Sequence, residues 1–158
     1  MKKKNKTIIG WEEWCKFPEL ELCAIKAKVD TGAKTSCLHA FNIGTFTKND
    51  KKYVQFYIHP IQKNKKIVRK CISEVVDYRY VTNSGGIKEK RYVIKTQLIL
   101  AGKDWEIELT LAKRDSMAFR MLLGREAIRK AKFLVDPSKS CFHGKLKPQQ
   151  IKNLYTEK

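Results

Sequence analysis

The run Trp105-Glu106-Ile107-Glu108-Leu109-Thr110-Leu111 alternates apolar and polar residues without a break, and this period constrains the chain more than any other feature. Successive strand side chains point to opposite faces, so such a run reads as a half-buried β-strand. The same alternation appears at Val54, Phe56 and Ile58, closed by Pro60, and at Ile25, Ala27 and Val29 just before Asp30. Ala101-Gly102-Lys103-Asp104 reads as a hairpin turn joining residues 92–100 to the Trp105 strand. Asn83-Ser84-Gly85-Gly86 is a second turn signal, between residues 75–81 and the strand that includes Tyr92. One helix stands out, over residues 124–132. It follows Met121-Leu122-Leu123 and precedes a short strand, Phe133-Leu134-Val135, that stops at Asp136-Pro137. Many short strands with one late helix predict a mainly β chain, a compact barrel or sandwich.

A chain of 158 residues suits one domain with a core that needs no disulfide staples. Residues 1–7 read as a basic N-terminal tail, 8–140 as the domain, and 141–158 as a basic tail, loose or ending in a short helix. The five cysteines are an odd number, which argues for reduced thiols. Cys37-x-His39 and Cys141-x-His143 are two Cys-x-His pairs that could form a zinc site, but their spacing is not that of common zinc modules. A strand would put both members of each pair on one face without any metal. No apolar stretch is long enough to span a membrane, and residues 7–10 are too short for a signal-peptide core, so the expectation is a cytoplasmic protein with no membrane role.

The 34 Lys and Arg against 16 Asp and Glu leave a net charge of +18. That balance attracts anions: nucleic acid, ribosomes or acidic peptides. It equally describes a solvated, lysine-rich surface. No zinc-finger spacing, aromatic RNA-binding box or helix-turn-helix pattern accompanies it, so a nucleic-acid partner stays open on charge alone.

The chemistry concentrates at Asp30-Thr31-Gly32-Ala33, a carboxylate at a strand end followed by a small hydroxyl residue and a glycine. Alone, this is an ordinary tight turn. About ninety residues later, Met121-Leu122-Leu123-Gly124-Arg125 runs into the helix. Together the two segments resemble the retropepsin-like aspartic peptidases. They resemble more closely a bacterial subfamily labelled "ATP-dependent zinc protease" and associated with the ribosomal-protein glutamate ligase. Ile9-Gly10-Trp11 with Glu12 and Trp14, residues 25–36, Leu38-His39-Ala40, residues 81–86, 105–115, 119–125 and 133–137 carry that resemblance, which covers residues 8–140.

The resemblance implies a small closed β-barrel of the acid-protease type that works as a homodimer, each chain supplying one Asp30. Thr31 would brace the paired loops, and Gly32 would permit close approach of substrate. Ser84-Gly85-Gly86 would form the tip of a flap over the cleft. Ala33, His39, Asp115 and Arg125 are candidate supporting residues. His39 could instead serve a local hydrogen bond, and Asp115 could pair with Arg120 or supply a second carboxylate within one chain. Lys34 stands where the family often carries an acid. The chain has neither a phosphate-binding Gly-rich loop nor a His-Glu-x-x-His pair, so no metal, ATP or other cofactor is expected.

The resulting expectation is peptide-bond hydrolysis, on acidic or glutamate-extended protein tails given the basic surface and the ligase association. A non-catalytic barrel that binds an acidic partner such as a ribosomal protein or RNA is one alternative. A zinc-dependent hydrolase is the other.

Overall fold

A computed structural model describes residues 6–83, 85–113 and 118–156. The long alternating run forms β10 (Lys103–Ala112), paired antiparallel with β9 (Lys88–Leu100) through the turn at Ala101-Gly102. Both turn residues have positive φ, 53° and 77°, as a two-residue turn between right-twisted strands requires.

Further strands close this hairpin into a ring. β2 (Glu12–Phe17) pairs with β9 and with β3 (Leu22–Asp30). β4 (Ser36–His39) lies parallel to β10. β11 (Met121–Gly124) fills the gap between β3 and β4, parallel to the first and antiparallel to the second. The order β10-β4-β11-β3-β2-β9 therefore returns to β10. The closed, mainly β architecture expected from the sequence takes this form. Closure leaves β2, β3, β4, β9, β10 and β11 each with a neighbour on both sides, which hides backbone groups that an open sheet would expose.

Two accessory sheets surround the ring. β8 (Asp77–Thr82) adds to the free flank of β9 as an antiparallel hairpin. β5 (Phe41–Lys48), β6 (Lys51–Ile58) and β7 (Arg69–Glu74) form a separate three-stranded sheet. At one edge, β1 (Ile8–Ile9) runs parallel to β12 (Leu134–Val135). Ile25, Ala27, Leu38, Ile94, Leu109, Met121 and Leu123 fill the ring interior, joined by Val54, Phe56 and Ile58 from β6. Each such Leu or Ile contributes roughly 1.5–3 kcal/mol when removed from water.

The predicted helix is α1 (Arg125–Ala131), ended by Lys132 in the left-handed region. A second helix, α2 (Pro148–Thr156), occupies the segment read from sequence as a loose tail or short terminal helix. Its apolar face is narrow: Ile151 and Tyr155, four residues apart, are the buried positions. Tyr155 Oη accepts the Ala24 N–H at 3.0 Å and donates to the Ala24 carbonyl, pinning α2 onto β3. Burial pushes the Tyr155 pKa up, partly offset by the bond to Ala24. None of the helices among the described residues is long and apolar enough to cross a membrane.

Candidate active site

Asp30 ends β3 in parallel register with Gly124, the last residue of β11. The chain then turns back through residues 31–35 into β4, so this loop wraps around the end of β11. Two apolar residues followed by glycine are what this crossing demands. A Cβ on Gly124 would sit 2.6 Å from the Thr35 carbonyl carbon and 2.8 Å from the Ser36 nitrogen, and both are backbone atoms. Gly124 donates its N–H to Ser36 Oγ at 2.9 Å. Ser36 is buried, and its carbonyl accepts the Thr110 hydroxyl at 3.2 Å, which ties the loop to β10.

The start of α1 holds the loop from beneath. Arg125 N–H donates to the Ala33 carbonyl at 2.7 Å and Glu126 N–H to the Lys34 carbonyl at 3.0 Å. These are helix-start donors that have no intrahelical acceptor, so the loop serves as the cap of α1. Arg125 Nη1 reaches the Thr31 carbonyl at 3.1 Å. Arg125, a candidate supporting residue, therefore contacts the backbone of the loop.

Within the loop, Gly32 N–H donates to Asp30 Oδ1 at 3.0 Å, which fixes the carboxylate orientation. Ala33 N–H closes the turn on the Asp30 carbonyl at 3.3 Å. Asp30 is half-buried while Thr31 and Gly32 are exposed. One oxygen of the carboxylate is therefore oriented by backbone, and the loop tip faces outward.

Gly85 and Gly86 lie at the β8–β9 hairpin tip, where Asn83 Oδ1 accepts from Gly85 N–H at 2.9 Å and Ile87 N–H at 3.1 Å. Ser84, the third flap candidate, and Asp115 lie outside the described residues. A cavity of about 700 Å³ brings the hairpin and the loop together: Arg79 of β8, Lys34, Thr35, Ser36, Glu108 of β10 and Arg129 of α1 all line it. Arg79 pairs with Glu108 at 2.6 Å. Beneath the hairpin, the buried Arg91 contacts Cys37 Sγ at 3.6 Å and pairs with Glu89.

His39 is buried at the far end of β4 and donates its N–H to the Arg120 carbonyl at 2.8 Å. It lines a different cavity, with Arg120, and the register puts it near the start of β11 while Asp30 sits at its end. Among the described residues no three His, Cys, Asp or Glu side chains gather as a metal site would require. The two Cys-x-His pairs are therefore not assembled into one centre.

Sequence reasoning missed several residues that carry the frame. Buried Glu13 accepts N–H groups from Gly10 at 2.7 Å, Phe142 at 3.0 Å and His143 at 3.1 Å. Glu12 pairs with Lys26 at 3.0 Å and accepts the Ser140 hydroxyl at 2.9 Å. The run Glu12-Glu13-Trp14-Cys15-Lys16-Phe17 has no regular alternation, and two adjacent acids ordinarily mark solvated surface, so no local pattern shows that both are buried.

A family profile described as the RimB-like, retropepsin-like aspartic endopeptidase RimB matches residues 8–145. Proteins named "Probable alpha-L-glutamate ligase" are similar to the chain. That of Shewanella pealeana is 52% identical over 151 residues, which is 96% of this chain and 33% of the relative. That of Desulfotalea psychrophila is 48% identical over 152 residues, 96% of this chain and 32% of the relative. The chain thus spans about a third of the length of these curated relatives. A solved structure, the Legionella pneumophila protein Lpg0085 of unknown function, superposes with a TM-score of 0.74 at 28% identity, covering 89% of this chain and 100% of that one. With a strand-end Asp-Thr-Gly loop wrapped around a strand that ends in glycine, and a family match over nearly its whole length, this chain belongs to the RimB-like family of retropepsin-like aspartic endopeptidases.

Proposed function

We propose that this protein is an aspartic peptidase whose site forms when two copies bring their Asp30 loops together. The observation that carries the reading is Asp30 itself: half-buried, held by Gly32 N–H at one oxygen, on an outward-facing loop fixed by Ser36, Gly124 and Arg125.

The chemistry needs two carboxyl groups in different protonation states. Two carboxylates about 3 Å apart cannot both ionise, so they share one proton. The ionised Asp30 takes a proton from water as the water oxygen bonds to the scissile carbonyl carbon. The protonated Asp30 of the partner subunit gives its proton to the carbonyl oxygen. The tetrahedral diol then breaks its C–N bond as the first Asp30 protonates the leaving nitrogen, and a diol hydroxyl proton returns to the partner. The β8–β9 hairpin, with Gly85 and Gly86 at its tip, serves as the flap that excludes water from this step.

For substrate, the reading favours acidic segments such as glutamate-extended protein tails. Lys34 and Lys95 line the cavity beside the loop and have no ion-pair partner among the described residues. Relatives that carry this segment within a longer protein are named for glutamate ligation, which supports a glutamate-rich substrate. Incubating the protein with oligoglutamate-tailed and untailed protein, beside Asp30→Asn, tests both parts. Cleavage of tailed substrate by wild type alone supports the reading; equal cleavage by Asp30→Asn overturns it.

A further inference from the structure

Away from the Asp30 loop, a second cavity of about 170 Å³ collects positive charge around Arg120. Arg120 is 5% exposed, and its Nε has no hydrogen-bond partner among the described residues. Among the described residues its Nη2 makes one long contact, 3.5 Å to the Ile61 carbonyl. A buried guanidinium with an idle donor loses free energy unless something occupies it. His39, His59, Lys65 and Lys113 line the same cavity, and among the described residues no carboxylate does. This is an oxyanion cradle in shape and charge, large enough for one tetrahedral group.

The cavity adjoins a surface of matching character. Phe41 and His59 line it and stack at 4.4 Å, and both belong to the outer face of the three-stranded sheet. On β6, Val54, Phe56 and Ile58 are buried while Tyr53, Gln55, Tyr57 and the following His59 are half-exposed, so the latter four share the outer face. Cross-strand neighbours continue it: Phe41 beside Tyr57 (rings 5.9 Å apart) and Phe46 stacked on Tyr53 at 5.5 Å, with Phe46 38% exposed. Lys70 lies opposite Tyr57, and exposed Lys65 lines the cavity, with exposed Lys63 and Lys66 near it in the chain. Only the far end carries an acid of the sheet face, Glu74 opposite Tyr53.

We infer that this face binds single-stranded nucleic acid, with one phosphate seated against Arg120 and its neighbouring bases stacked along Phe41, Tyr57, Tyr53 and Phe46. An acidic peptide would satisfy the cradle but has no flat ring to lay on four aromatic side chains. Bases do, whatever their identity, and a backbone of phosphates follows the lysines. The inference is independent of the peptidase reading, because the face shares no residue with the Asp30 loop.

The test is fluorescence anisotropy of a labelled twelve-nucleotide oligouridylate with the full chain, across a salt series. If three phosphates are neutralised, the slope of log affinity against log salt is roughly −2. Tyr57→Ala and Lys65→Glu, both at accessible positions, each weaken binding by about tenfold, whereas Lys16→Glu, an equal charge change on β2, moves it by less than about threefold. Arg120→Gln abolishes competition by inorganic phosphate; if that variant fails to fold, the Tyr57 and Lys65 variants decide alone. Three results would overturn the inference. These are no binding at low salt, equal weakening by Lys16→Glu and Lys65→Glu with no effect of Tyr57→Ala, and displacement by oligoglutamate as effective as by unlabelled oligonucleotide. The first two remove the face, and the third makes its ligand an acidic peptide.

Discussion

Gly124 donates its N–H to the buried Ser36 hydroxyl at 2.9 Å, and this bond joins two residues 88 positions apart directly behind the Asp30 loop. No room is left for a side chain at the crossing, because the nearest neighbours of a Cβ there are main-chain atoms that cannot move independently. Gly124→Ala is therefore expected to destabilise the fold by roughly 2–3 kcal/mol through overpacking. In a chain of this size that lowers the melting temperature by about 4–12 °C. Ser36→Ala leaves a buried N–H without its acceptor and should cost about 1–3 kcal/mol. Thermal melts followed by circular dichroism check both; an unchanged Gly124→Ala melt would mean the loop crosses elsewhere.

Two-copy catalysis has a mixing signature. When wild-type chains are mixed with equal Asp30→Asn chains and allowed to exchange, about a quarter of random dimers hold two intact acids. Activity per total chain then follows the square of the wild-type fraction. A linear dependence would show that one chain suffices. Asp30→Asn alone should lower the turnover rate by at least about 10²-fold without shifting the melt, since its side chain is half-exposed.

Glu13 is the anchor of the segment just before α2. It is fully buried and accepts three main-chain N–H groups. Glu13→Ala strands those donors and is expected to cost about 3 kcal/mol or more. Hydrogen exchange should show Gly10, Phe142 and His143 amides losing protection together. Loss confined to Gly10 would refute the clamp.

Alkaline pH should weaken the fold through buried thiols. Burial, and then the nearby Glu21 charge, push the Cys71 thiol up to about 12 from 9.0. The folded chain thus keeps a proton that the unfolded chain releases, so stability present below pH 9.0 falls as pH rises toward about 12. Burial moves Cys15 in the same direction. Urea midpoints measured from pH 8 upward should fall, and Cys71→Ser should flatten that slope.

Strands were legible where they show one buried face, as β6 of the outer sheet and the first part of β10 do; β4, buried at all four positions, shows no such alternation. Trp105 to Leu111 and Val54 to Ile58 alternate, and the burial follows that alternation for Val54, Phe56 and Ile58. Glycine at 124 was legible as part of a motif, although its reason, the passage of residues 35–36 across β11, is a tertiary contact that no local pattern encodes. The helix α2 was only half legible. Its two buried residues gain their value from Ala24, more than a hundred positions away. Glu12 and Glu13 were not legible as buried groups, because their partners are main-chain and side-chain atoms of residues 10, 26 and 140–143. The aromatic row on β6 shows in sequence as strand residues alone. It becomes a surface only when β5 supplies Phe41 and Phe46 beside it.

The order in which the chain is made has a consequence for the Asp30 loop. The strand end and helix start that hold it, Gly124 and Arg125, follow Asp30 by more than ninety residues. A chain halted between the two has the loop without the partners that hold it. The loop therefore takes its held form only after the segment around residues 124–125 has been made.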